Sequence, residues 1–179
     1  SLLKLCDFER LEKFCQSTDI MKIWNELAKT PNTTPVDFIL DAQFWSSSDN
    51  VIKKSQEFSS WFTDANNATP LGTLTNLNLS NLHLTHLPTK ISTSSAVTEL
   101  FIILNGLTSL DLFNNSLSSL QEELGNLSLT HLEICRNRFE TIPEVIYDLK
   151  KLEALALSNN RISIISQKIN QLTMITVLK

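Results

Sequence analysis

LTSLDLFNNSL (Leu107–Leu117), LTHLEICRNRF (Leu129–Phe139) and LEALALSNNRI (Leu152–Ile162) are one pattern written three times. Apolar residues fall at +3, +2, +3, +2 and +3 from each starting leucine, with asparagine in the fourth slot at Asn115, Asn137 and Asn160, and Leu120, Ile142 and Ile165 closing each frame. A fourth frame runs through Leu74, Leu77, Leu79, Leu82, Leu84 and Leu87, departing only by Leu82 in the asparagine slot. Starts at 107, 129, 152 and 175 are 22, 23 and 23 residues apart. A fixed period of this length marks a stack of small units, none of which buries its apolar face alone.

Within each frame the L-x-L step is a short strand with alternate side chains pointing inward. The asparagine column fits a buried turn, where a side-chain amide satisfies backbone groups left over as the chain bends; this makes Asn115, Asn137 and Asn160 structural. Leu87-Pro88 and Ile142-Pro143 close two frames, and Ile146, Leu149, Leu152 and Leu155 continue at a spacing of three. That period implies a helical turn on the outer side of each coil. The pattern L-x-x-L-x-L-x-x-N-x-L resembles the leucine-rich repeat family, in its intracellular 23-residue subclass, over residues 71–179. The resemblance implies an α/β fold: a right-handed solenoid of about five coils with a parallel sheet on its concave face.

One step is irregular, because Leu74 to Leu107 spans 33 residues, and Val97, Leu100, Ile102 and Asn105 imitate another start. A regular repeat at 97 is excluded, since adjacent parallel strands need a crossover of a dozen or more residues. A hairpin at Asn105-Gly106 is one alternative. The preferred reading is a helix capped by Ser95, carrying Val97, Leu100, Phe101 and Leu104 and ended by Asn105-Gly106, which enlarges the coil at 88–106. At the other end Ile175 and Leu178 open a frame that Lys179 leaves unfinished. Terminal repeats need a polar cap, so more repeats are expected beyond it.

Residues 1–66 read as a small all-α domain of about four short helices. Leu2, Leu5, Phe8, Leu11, Phe14 and Cys15 form one stripe, and Asp19 caps a second helix with Ile20, Ile23, Trp24 and Leu27. Thr34 and Pro35 open a third, with Val36, Phe38, Ile39, Leu40 and Trp45; Val51, Ile52, Phe58, Trp61 and Phe62 lie on a fourth. The domain is expected to seal the solenoid edge, which otherwise exposes unpaired strand groups. Asp7, Leu11, Trp24 and Leu27-Ala28 also resemble the back half of an F-box, without its leucine-proline opening and with a longer gap before the tryptophan. That resemblance implies a ubiquitin-ligase adaptor as partner, held through residues 1–29. Helices followed by repeats are similar, too, to proteins that intracellular bacteria deliver into host cells.

The chain of 179 residues carries a formal charge of −4. Residues 1–70 hold ten acids and seven bases and residues 71–179 nine and eight, with no clustered basic face of the kind phosphate binding needs. Nucleic acid and membrane are therefore not expected partners, and no apolar run approaches a bilayer span. Cys6, Cys15 and Cys135 lack metal-ligand spacing and suggest a reducing, cytoplasmic setting, or the host cytoplasm for a delivered protein. No cofactor, metal or catalytic residue is assigned. His131 and Cys135 share a strand face but lie about 13 Å apart by strand rise, too far for a nucleophile and its base. Gly72, Gly106 and Gly125 build no phosphate loop.

The expected function is recognition of another protein on the concave face. Side chains between the buried leucines point there: Asn76, Asn78 and Ser80; Ser109, Asp111 and Phe113; His131, Glu133 and Cys135; Ala154, Ala156 and Ser158. Phe113 beside His131, with the negative charge of Asp111 and Glu133, is the expected anchor, because aromatic side chains dominate interface energies.

Overall fold

A computed structural model of the chain describes residues 18–32, 64–87 and 104–179, together with Lys53. Five short strands set the architecture: β1 (Asn76–Asn78), β2 (Ser109–Asp111), β3 (His131–Glu133), β4 (Ala154–Ala156) and β5 (Val177–Leu178). They pair in chain order as one parallel sheet. Leu77, Leu110, Leu132, Leu155 and Leu178 stand opposite one another across it. The register thus follows the sequence frames with no slip. A one-residue slip would turn every leucine outward.

Between strands the chain returns through 3-10 turns: η1 (Glu122–Asn126), η2 (Glu144–Asp148) and η3 (Gln167–Gln171). The expected helical turn is therefore present in its tighter form. Five residues are too few for a stable α-helix, and i to i+3 bonding satisfies a short run more economically. Leu124, Val145 and Ile146 pack inward from these turns, and the leucines of β1 to β4 meet them in one continuous apolar cluster from Ile20 to Leu172. Each fully buried aliphatic side chain contributes about 1.5–3 kcal/mol relative to exposure.

The irregular step resolves at the sheet. β1 pairs directly with β2, so no further strand of this sheet lies between Leu77 and Leu110. With β1 on one edge and β3 on the other, β2 has no edge left for a hairpin partner. The expected helix from Ser95 falls outside the described residues, and only its end, Leu104–Gly106, is seen as a turn. Neither Asn105 nor Gly106 has positive φ, so the left-handed ending expected of Asn-Gly is not used. Gly106 is needed for closeness instead: a Cβ there would sit 2.4 Å from the carbonyl oxygen of Gly72.

Among the described residues, two helical stretches precede β1 besides Lys53. The first, α1, covers residues 18–27. Thr18 is already helical, which corrects the expectation that Asp19 is an N-cap. The second, α2 (Ala65–Gly72), lies where the fourth helix is expected to run up to the first repeat, but it starts at an N-cap of its own. Its N-cap is Asp64, whose Oδ1 accepts from the Asn66 N–H at 2.8 Å. Pro70 inside it hides the helix from propensity, yet only Asn67 and Leu71 need to face the core and eight residues suffice. Of the expected helix at 51–62 only Lys53 is described, and it is helical. The stripe at 2–15 and the helix opened by Thr34 lie outside the described residues.

Candidate protein-binding face

The asparagine column carries the coil-to-coil joints. Asn115 Nδ2 donates to the carbonyls of Leu79 at 2.9 Å and Leu112 at 3.0 Å, while its Oδ1 accepts from the Leu84 N–H at 2.8 Å. Asn137 repeats this with Leu112, Ile134 and Leu117, and Asn160 with Ile134, Leu157 and Phe139. Each amide therefore bridges its own coil to the one before. The exception at Leu82 follows from this geometry: in the first coil there is no earlier strand of the described sheet to bridge. Leu82 is instead partly buried against the core.

What meets that first coil is α1. Asp19, 3% exposed, accepts from the N–H groups of Thr85 and His86, both at 2.9 Å, and from the Thr85 hydroxyl at 2.7 Å. Lys22 Nζ bonds its other oxygen at 3.0 Å and reaches the carbonyl of His83 at 3.2 Å. Ile20, Met21, Ile23, Trp24 and Leu27 are buried in the shared core.

On the sheet face opposite the core, two columns of side chains run across the strands. Asn76, Ser109, His131, Ala154 and Val177 form one column. Asn78, Asp111, Glu133 and Ala156 form the other, and Lys179 continues it because Leu157 donates to its carbonyl as Leu79 does to Asp111. In β1 to β4 the central leucine is buried and its neighbours are exposed or half-buried. Six expected residues are thus brought together on one face, Asn76, Asn78, Ser109, Asp111, His131 and Glu133, while Phe113 follows the end of β2 with Arg136 against its ring. The eighth, Cys135, lies just past the end of β3 and is only 8% exposed, covered beside Glu133 and Ser158 and outside the core cluster.

Backbone caps hold the second column in place. Asn78, Asp111 and Glu133 accept, respectively, from the N–H groups of Ser80, Phe113 and Cys135 at 2.8 to 2.9 Å. One oxygen of each carboxylate is thereby fixed. Burial pushes the Cys135 thiol up from its ordinary pKa, and Glu133 beside it adds to the effect.

Arg136 belongs to the face and escaped the sequence reading. Its guanidinium stands 5.4 Å from the centre of the half-buried Phe113 ring. It also has φ of 55°, in a slot where the other coils place Asn81, Asn114 and Asn159, all with positive φ. Asparagine tolerates that left-handed conformation and arginine does so at a cost. The sequence does hold the signal: an arginine interrupting a column of asparagines.

A family model for the leucine-rich repeat matches residues 105–162. Together with the in-register parallel ladder, that decides the class. The repeat region is a leucine-rich repeat solenoid. A leucine-rich repeat protein of Leptospira interrogans is 26% identical with a TM-score of 0.49, over 63% of this chain and 32% of that one. The Arabidopsis receptor kinase HAESA, solved with the peptide hormone IDA and the co-receptor SERK1, is 23% identical with a TM-score of 0.28, over 70% of this chain and 30% of that one. The chain therefore spans about a third of the length of these two leucine-rich repeat structures or receptors. No curated protein matches it. Among the described residues no helix is long and apolar enough to cross a membrane, and no group of three His, Cys, Asp or Glu is placed to hold a metal.

Proposed function

We propose that this chain is a protein-binding module, acting without chemistry of its own, and that its partner lies on the concave sheet face. The observation that carries this reading is the pair of in-register columns, presented on strands whose opposite faces are locked in the core. Such a surface is pre-organised, so a partner loses little entropy to ordering it. Phe113 with Arg136 over its ring supplies an aromatic and cationic anchor of the type that dominates interfaces.

The test is site-specific photo-crosslinking in cells. Crosslinkers at Ser109 and His131 should trap one common partner that crosslinkers at Glu122 and Asp148, on the opposite side, do not. Alanine at Phe113 and at Glu133 should then weaken that partner at least tenfold. Adducts formed only from Glu122 and Asp148 would move the binding surface to the convex side.

The ubiquitin-ligase and delivered-effector readings are finer versions of the same role in a cytoplasmic setting. Trp24 and Leu27, which carry the F-box resemblance, are 2% and 0% exposed. Their burial supports a capping role for α1. An adaptor bound by the full chain and released by Glu26→Lys with Lys29→Glu, on the helix's outer side, would favour the ligase instead.

A further inference from the structure

The concave face has a notch. Both outward positions of β4 are alanines, Ala154 and Ala156, while β3 on one side presents His131 and Glu133 and β5 on the other presents Val177 and Lys179. A groove of about 310 Å³ spans the face from β2 to Lys179, and these alanines are the low part of its floor. With neighbouring strands about 4.8 Å apart, the two walls stand roughly 9.6 Å from one another. A single layer of carbon touching both walls needs about 7–8 Å between wall carbons. One ring or branched aliphatic group fits; two layers do not.

The charge beside the notch is uneven. Asp111 and Glu133 are direct neighbours across β2 and β3, each with an oxygen tied to its own backbone. Like charges opposite one another on a sheet repel, so a cation bridging them relieves a cost already present in the free protein. Lys179 on the far wall opposes a second cation there, which fixes the side on which the first must sit.

We propose that the β4 alanines form a side-chain slot for an extended segment of a partner protein. The segment seats one large apolar side chain between the β3 and β5 walls and lays an adjacent basic side chain across Asp111 and Glu133. The proposal rests on the concave-face reading above and adds the chemistry of the occupant.

A displayed library of random 12-residue peptides, selected on the full chain, tests it. Enriched peptides should carry Arg or Lys within two residues of a large apolar residue. Their affinity should fall tenfold or more when Ala154→Leu and Ala156→Leu fill the slot, and fall similarly with Glu133→Gln. Glu122→Ala, on the opposite side of the coil, should leave affinity within twofold, and the Ala154 and Ala156 methyl resonances should shift on peptide binding. Both alanines point away from the core, so these variants leave Leu155 undisturbed, and unchanged circular dichroism would verify the fold. Peptides lost with Phe113→Ala but indifferent to the leucine pair would overturn the slot while leaving the concave face standing. Peptides indifferent to every one of these changes, or no enrichment at all, would overturn the slot, and the first of these would also count against the concave face.

Discussion

Asn137 and Arg136 are adjacent and serve opposite ends. The Asn137 amide satisfies the N–H of Leu117 and the carbonyls of Leu112 and Ile134 inside the stack. Asn137→Ala orphans them at about 1–3 kcal/mol each, so urea denaturation should show a loss of about 3 kcal/mol or more at unchanged m-value. Asn160→Ala should lose less, since that residue is half-buried and water reaches its partners. Arg136, by contrast, holds a left-handed backbone at a cost of about 1–2 kcal/mol. Its contact with Phe113 returns about 0.5–1 kcal/mol at an exposed site. Arg136→Asn should therefore raise the unfolding free energy by roughly 0.5–1 kcal/mol while weakening the partner. A gain in stability with undiminished affinity would detach Arg136 from recognition.

At the scale of elements, the joint between α1 and the first coil depends on one buried carboxylate. Asp19 ties the N–H groups of Thr85 and His86 to α1, just past the Leu84 N–H that Asn115 satisfies. Hydrogen bonds to a charged acceptor are worth about 1.5–3 kcal/mol each, though they share one oxygen here and do not add fully. Asp19→Ala should destabilise the chain by about 3 kcal/mol, and the amides of Thr85 and His86 should exchange at least tenfold faster. Unchanged exchange at both would mean that apolar contacts alone hold α1. Sequence periodicity placed α1's apolar face correctly in Ile20, Ile23, Trp24 and Leu27 but assigned its aspartate to the wrong partner. A capping residue looks the same in sequence whether it serves its own helix or a bend 66 residues away.

For the whole molecule, a solenoid's stability is the sum of its coils and their neighbour contacts, so protection varies along the stack. The middle coils bury Leu110, Leu112, Leu132, Ile134 and Leu155 almost fully, whereas η3 buries nothing and Ile164, Ile165, Met174 and Leu178 are exposed. Native-state hydrogen exchange should rank the amides of β2 and β3 as slowest and those from Ile162 to Lys179 as fastest; equal protection throughout would show one cooperative unit. The sequence by itself determined the strand positions, their parallel register and the asparagine joints, because a strict spacing of apolar side chains admits one way of burying them. It also named most of the sheet face, since alternation in a three-residue strand leaves no choice. Only the tertiary structure decided that Cys135 is covered beside Glu133, that Gly106 serves a close approach to Gly72, that α2 forms around Pro70, and that Asp19 spans from α1 to Thr85. Each of those depends on what lies opposite in space, and distance along a chain carries no record of it.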